Sequence, residues 1–170
     1  MGSSTQRKVG AELRNGVCMR FILVDRIVEL EPGKRILATK VLPATEELFQ
    51  DHFPGFPVVP GVLLTEMMAQ AAGRCLDAEK THLGRAMLGK IKGASFRDWV
   101  RPDQEIMLHA TIIQNRPTYA TADCHAAVAG KTVCSAELFF VFAPHERFAS
   151  GYQDEILQAY WNEHPGLESR

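Results

Sequence analysis

The sequence predicts an α+β fold, one twisted antiparallel sheet wrapped around a single long helix. Two observations lead to it. The stretch from Val62 to about Lys80 starts VLLTEMMAQAAGRCLDA, apolar nearly all round with few charges before Arg74, and a helix apolar on every face belongs in the middle of a structure. Around it, β-branched and alternating blocks recur with short connections, a hairpin before the helix and four strands after it, as antiparallel neighbours require.

Composition agrees. The 170 residues are 46% hydrophobic and 23% charged, with 19 Lys+Arg against 20 Asp+Glu. That length suits one domain with a small appendage and a core that needs no staples. Ample apolar content at a net charge of −1 excludes a disordered chain, and the balance of charge argues against a dedicated nucleic-acid binder. No apolar run approaches the ~18 residues that span a bilayer, so no membrane insertion is expected. Met1–Cys18 carries no apolar stretch of the secretory kind, and Gln6 stands where a myristoylation signal takes Ser or Thr. The four cysteines, Cys18, Cys75, Cys124 and Cys134, form no C-x-x-C pair. They read as small buried hydrophobes in a reducing cytoplasm, the expected location.

The chain divides into a polar N-terminal segment, 1–20, a body, 21–144, and a polar tail, 145–170. Phe21 to Leu30 is dense in apolar and β-branched residues. Glu31-Pro32-Gly33-Lys34 carries turn chemistry, with Gly33 free to take φ > 0, and Arg35–Leu42 reads as a second strand, so Arg26–Leu42 is a hairpin. After Pro43, Ala44–Phe49 predicts a short helix capped by Thr45. Asp51–Gly61, DHFPGFPVVPG, holds three prolines and two glycines in eleven residues, the signature of a stiff irregular loop. Pro60 stands at the start of the long helix, where a missing N–H costs nothing, and His82-Leu83-Gly84 reads as its stop. The later strand blocks are Arg85–Phe96, Gln104–Gln114, Tyr119–Ala129 and, after a turn at Gly130, Thr132–Phe142. In the tail, Gln153–Asn162 predicts a short helix with Ile156, Leu157, Tyr160 and Trp161 on one face, closed by Pro165-Gly166 and folding back on the domain or on a partner chain.

The chemistry concentrates in His52–Gly73. His52 stands at the mouth of the rigid loop, and an imidazole serves as a general base at neutral pH. Glu66 is the only acid between Asp51 and Asp77. It lies in an otherwise apolar helix, where a carboxyl group must meet a partner or lose its hydration. Gln70, four residues on, shares its helix face. Gly61 lets a ligand carbonyl approach backbone N–H groups that lack intrahelical partners and sit at the positive end of the helix dipole. A base, an acid and a dipole aimed at an oxygen together suit proton abstraction next to a carbonyl. A bent loop separates His52 from Glu66, so the two could meet within one chain or across a subunit interface.

HFPGFPVVPGVLLTEMMAQAAG closely resembles the signature H-F-P-G-x-P-x-x-P-G-V-L-x-x-E-x-x-A-Q of the 3-hydroxyacyl-[acyl carrier protein] dehydratases of bacterial fatty-acid synthesis, a hot-dog-fold family. His52, Phe53, Pro54, Gly55, Pro57, Pro60, Gly61, Val62, Leu63, Glu66, Ala69 and Gln70 occupy its fixed positions. FILVDRIVELEPGKRILATKVL resembles the family's first hairpin, ELFQDHFPG its approach to the catalytic loop and SAELFFVF its last strand. The resemblance implies that His52 takes a proton from C2 of a (3R)-3-hydroxyacyl thioester. It implies that Glu66 helps the C3 hydroxyl leave as water, directly or through a bound water, and that the Gly61 N–H polarises the thioester carbonyl. Phe53, Val62 and Gln70 join Gly61 as expected substrate-binding residues. No metal or redox cofactor is implied, and the substrate arrives on the phosphopantetheine arm of acyl carrier protein. In such a family the His and Glu of one site come from different subunits, so a homodimer is the minimum unit and a hexamer, a trimer of dimers, a further assembly. Glu rather than Asp at position 66 points to the simple dehydratase and away from the dehydratase/isomerase branch.

Three departures stand out. The family's P-G-D-Q turn is Arg101-Pro102-Asp103-Gln104 here, Trp99 is unusual, and so is the 145–170 tail. They bear on acyl-chain preference and oligomer packing rather than on the reaction. Two alternatives compete: a hot-dog acyl thioesterase, and a non-catalytic acyl-thioester binding protein. Because acyl carrier proteins are acidic, Arg85, Lys90, Lys92, Arg97 and Arg101 are candidates for a basic docking rim, against their reading as ordinary solvated charges.

Overall fold

Turn chemistry at Glu31–Lys34 joins β1 (Arg26–Glu31) to β2 (Arg35–Val41), which pair antiparallel. Gly33 takes φ +68°, a conformation that favours glycine, and a Cβ there would also meet the movable Glu79 carboxyl at 2.5 Å. This computed structural model describes residues 21–79 and 84–165. The 1–20 segment with Cys18, the expected helix stop at 82–83 and Gly166 lie outside the described residues.

The dense apolar run before β1 is not strand throughout. Residues 21–25 form a lead segment whose Leu23 and Val24 are fully buried, and Asp25 N–H donates to Thr39 O at 2.8 Å. Helix α1 is only Leu48–Asp51. The predicted start at Ala44 with a Thr45 cap does not form, because the backbone there is spent on turns. Ala44 N–H donates to Asp103 Oδ1 and Glu46 N–H to Pro43 O, each at 3.0 Å. Helix α2 runs Gly61–Asp77 with Pro60 at its N-cap, one residue earlier and a few residues shorter than the sequence reading. Its loss at the C-terminal end follows from Asp77, whose carboxylate is drawn out to Ala86 N–H (2.8 Å) and Arg85 (3.2 Å).

Four strands follow: β3 (Gly84–Phe96), β4 (Glu105–Asn115), β5 (Tyr119–Val128) and β6 (Lys131–Pro144). All pair antiparallel in one six-stranded sheet of order β1-β2-β4-β5-β6-β3. Short connections join ladder neighbours at β1/β2, β4/β5 and β5/β6, as expected, but not from β3 to β4. Helix α2 carries the chain from β2 to the far edge of the sheet, β3 lines up on β6 there, and residues 97–104 return the chain to β2's side.

Period-2 alternation turns one face of the sheet toward α2. Ala38, Leu108, Ala126 and Cys134 form one cross-strand row, and Ile36, Ala110, Cys124 and Ala136 the next. The alanines and cysteines of these rows leave room for the bulk of α2, whose Leu64, Met67, Met68 and Leu76 are at most 2% exposed in the same core. The result is the hot-dog architecture expected. The three described cysteines are free and buried, and burial pushes the Cys75 and Cys124 thiols up to about 12 and Cys134 up to about 11. They act as small core hydrophobes. No described helix is long and apolar enough to cross a membrane.

After a 3₁₀ turn (His145–Arg147), helix α3 (Glu155–Glu163) folds back on the body. Asp154 caps it, its carboxylate accepting from the N–H groups of Ile156 (3.0 Å) and Leu157 (3.1 Å). Leu157, Tyr160 and Trp161 enter the main core, so the tail belongs to the folded unit of its own chain.

Candidate active site

The Pro/Gly loop holds His52 by its backbone and by its ring. His52 N–H donates to Leu48 O and Val58 N–H donates to His52 O, each at 3.0 Å. The ring Nδ1 lies 3.0 Å from Val58 O. A carbonyl oxygen only accepts, so Nδ1 carries a proton, and in the neutral ring it is Nε2 that keeps the lone pair a general base needs. The ring stacks on Phe53 with centroids 4.1 Å apart, and Phe53 itself is 54% exposed.

Residues the sequence reading did not place in the site fix this loop. Val59 N–H donates to Val100 O at 2.8 Å. Arg101 Nη1 donates to Pro57 O at 3.1 Å, its guanidinium lies 3.9 Å above the Phe56 ring, and Trp99 meets Phe56 edge-on at 5.3 Å. The turn at Arg101–Gln104 is tied down within the chain. Asp103 takes φ +64°, a conformation Asp tolerates, and receives Ala44 N–H on its side chain. Among the docking candidates, Arg101 is thus occupied within its own chain. Lys92 pairs with Glu137, Arg97 donates to Ser135 Oγ at 2.7 Å, and Arg85 pairs with Asp77 at 3.2 Å. Lys90 stands exposed.

Glu66 lies at a different place, half-buried on α2. Gln70 Nε2 donates to Glu66 Oε1 at 3.1 Å and to Phe21 O at 3.1 Å, while Gln70 Oε1 accepts Leu23 N–H at 2.9 Å. The amide is thereby used within the chain, aligning the carboxyl group and tying the lead segment to the helix. Both residues line a cavity of about 510 Å³ bounded by Ala69, Gly73, Met87 and Phe140 among others. His52 is not among its lining residues. Within one chain, then, His52 and Glu66 open on separate places.

Gly61 opens α2, and its N–H meets no acceptor among the described residues, as expected for the first turn of a helix. A Cβ at Gly61 would lie 2.8 Å from the Phe96 ring, so the bare backbone is packed close to an aromatic side chain. Val62, next to it, is 73% exposed.

The family described as FabA-like domain matches residues 18–137. The 3-hydroxyacyl-[acyl-carrier-protein] dehydratase FabZ of Pediococcus pentosaceus is 45% identical over 122 residues, 71% of this chain and 82% of that protein. The protein of the same name from Lactobacillus helveticus is 45% identical over 134 residues, 77% of this chain and 90% of that one. Among solved structures, the dehydratase heterocomplex ApeI:P from Xenorhabdus doucetiae superposes with a TM-score of 0.59 at 13% identity, covering 82% of this chain and 89% of that one. A hypothetical thioesterase with coenzyme A from Streptococcus pneumoniae TIGR4 gives a TM-score of 0.57 at 11% identity over 71% of this chain and 89% of that one. At such identities the structural likeness is one of fold. The sequence matches go further, and the chain belongs to the FabZ family of 3-hydroxyacyl-[acyl-carrier-protein] dehydratases.

Proposed function

We propose that this chain dehydrates a (3R)-3-hydroxyacyl group on acyl carrier protein to the trans-2-enoyl form, with each site made by two copies of the chain, His52 from one and Glu66 from the other. The observation that carries this reading is the separate preparation of the two groups. His52 has a free Nε2 on an exposed loop, and Glu66 waits, held by Gln70, in a cavity that His52 of the same chain does not line.

The chemistry follows from these groups. The thioester carbonyl acidifies the C2 proton, which His52 Nε2 removes. Negative charge building on the carbonyl oxygen is stabilised by the Gly61 N–H and the positive end of α2. The electron pair left at C2 forms the C2=C3 double bond as the C3–O bond breaks. The departing hydroxyl takes a proton from the Glu66 carboxyl, directly or through a held water, and leaves as water. Imidazolium and carboxylate return to their starting forms by proton exchange with solvent, so the sum is loss of one water. Phe53 and Val62 offer exposed apolar surface beside the two groups for substrate, and Gln70 positions Glu66.

A homodimer is supported by the free edge of β3. That strand has thirteen residues and, among the described residues, no neighbour on its outer side, with Met87, Ile91 and Phe96 exposed. A long apolar edge invites a partner strand. Residues at its start also line the Glu66 cavity, so a copy seated on β3 lies beside that cavity. The free buried thiols support a cytoplasmic enzyme.

The test is hydration of a trans-2-enoyl thioester, followed by loss of its enoyl absorbance. The native chain is expected to turn over, and His52→Ala and Glu66→Gln to lose at least about a hundredfold in rate with the fold retained. Full activity in either variant removes these roles. Release of free thiol without enoyl hydration supports a thioesterase instead.

A further inference from the structure

The cavity that holds Glu66 has two unlike ends. It follows one stripe of α2, Glu66, Ala69, Gln70, Gly73, Arg74 and Asp77. At a rise of 1.5 Å per residue, Gly73 lies about 10 Å and Asp77 about 16 Å along the helix from Glu66. The middle is walled by apolar groups, Ala69, Met87, Leu88 and Phe140. The far end is a knot of two cations and two anions. Arg74 Nε pairs with Asp154 at 3.1 Å, Arg85 Nη2 with Asp77 at 3.2 Å, and Arg85 Nη2 also reaches Asp154 at 3.8 Å. The side chains of Arg74 and Asp154 are only 10% and 8% exposed. Tyr152, two residues before Asp154, lays its ring 4.1 Å from the Arg85 guanidinium at this same end.

Asp154 and Tyr152 come from the tail, which lies beyond the family match ending at residue 137. The tail is firmly seated, since Asp154 also caps α3 and α3 buries Leu157, Tyr160 and Trp161. We infer that the tail is a chain-length stop: Asp154, clamped by Arg74 and Arg85, holds Tyr152 as a plug across the far end of the acyl groove, so the enzyme takes acyl chains that end before the charged knot. This rests on the dehydratase reading above. A methylene chain pushed past Gly73 has to part a compensated, buried ion pair or lift Tyr152 off Arg85. The first leaves a charge in the groove without its partner and the second gives up the cation–π contact on Arg85, whereas a shorter chain stays against the apolar middle wall.

Two readouts test this on the full chain. Saturated acyl-pantetheine thioesters of graded length, which cannot react, are titrated by calorimetry, and trans-2-enoyl thioesters of the same lengths are assayed for hydration. The native chain is expected to show affinity and kcat/KM that rise with length and then fall sharply. Tyr152→Ala is expected to move that break to longer chains and to raise the long-to-short ratio about tenfold in both readouts. Asp154→Asn, which keeps a helix-capping side chain but loses the charge that clamps the tail, is expected to shift the break the same way. A merely destabilised protein lowers all lengths alike. Length profiles that stay the same in both variants overturn the stop. Graded binding that shifts as expected without hydration at any length overturns the dehydratase reading and leaves the stop standing.

Discussion

Gln70 Nε2 donates to Glu66 Oε1 at 3.1 Å, and through the same amide the segment ahead of β1 is bound to α2. One side chain thus aims a carboxyl group and closes a seam between parts of the chain 47 residues apart. Gln70→Ala frees Glu66 to turn and leaves the N–H of fully buried Leu23 unpaired. The expected outcome is a loss of about 1–3 kcal/mol in urea unfolding together with a fall of at least about tenfold in kcat. A variant that unfolds earlier yet keeps its native kcat separates the seam from the carboxyl and removes the positioning role.

Gly61 is where activity and stability are expected to part. Alanine is worth up to about 1 kcal/mol more than glycine in a helix, while its methyl would press on the Phe96 ring at 2.8 Å. Phe96 is 53% exposed and has room to turn. Gly61→Ala is therefore expected to stay within about 1 kcal/mol of native stability. Hydration kcat/KM should drop about a hundredfold, because the methyl occupies the approach to the backbone N–H. Adding Phe96→Ala removes the clash but not the methyl. Recovery of activity in the double variant would assign the loss to the ring instead.

On the other face of the sheet, His109 and His125 are cross-strand partners with rings stacked 4.2 Å apart. Burial first, and then the facing His125, hold the His109 pKa below its usual 6.5, against a smaller pull from Glu29. As pH falls below 6.5 the unfolded chain takes up this proton before the folded one, so the contribution is present above 6.5 and lost toward acid. His125→Thr is expected to raise the His109 midpoint in an NMR titration and to flatten the pH dependence of unfolding in that window. A midpoint that does not move rules out the pair as a cause.

Trp161 is 4% exposed and sits in the main core although it belongs to the polar tail. Trp161→Ala is expected to cost about 3–5 kcal/mol, read as a drop in denaturant midpoint for the whole chain. A separate early transition for the tail with an unchanged main midpoint would show that α3 is an ornament.

Local chemistry made much of this legible. The Glu31–Lys34 turn, the period-2 blocks and the apolar run after Pro60 each specify an element through nearest neighbours. Pairing β3 with β6 is not written in any short window, because the crossover depends on where α2 sets the chain down. Thr45 misled for a related reason, since a side chain fit to cap a helix says nothing of the turns that use up Ala44 and Glu46. At the site, the loop and helix motif named His52, Glu66 and Gly61. The ties around them are tertiary: Arg101 to Pro57 at the loop, Gln70 to Leu23 beside Glu66, and, at the far end of the cavity, Arg74 to Asp154 across 80 residues. Spacing along the chain carries no trace of such contacts.

The claim that one site needs two copies is tested by mixing. His52→Ala and Glu66→Gln chains, each inactive alone, are combined, allowed to exchange subunits, and assayed for enoyl-thioester hydration, with exchange checked by native mass spectrometry. The mixture is expected to regain about a quarter of the native rate, since random exchange makes half the dimers mixed and each mixed dimer holds one intact site. A mixture that exchanges fully and stays inactive would contradict the shared site.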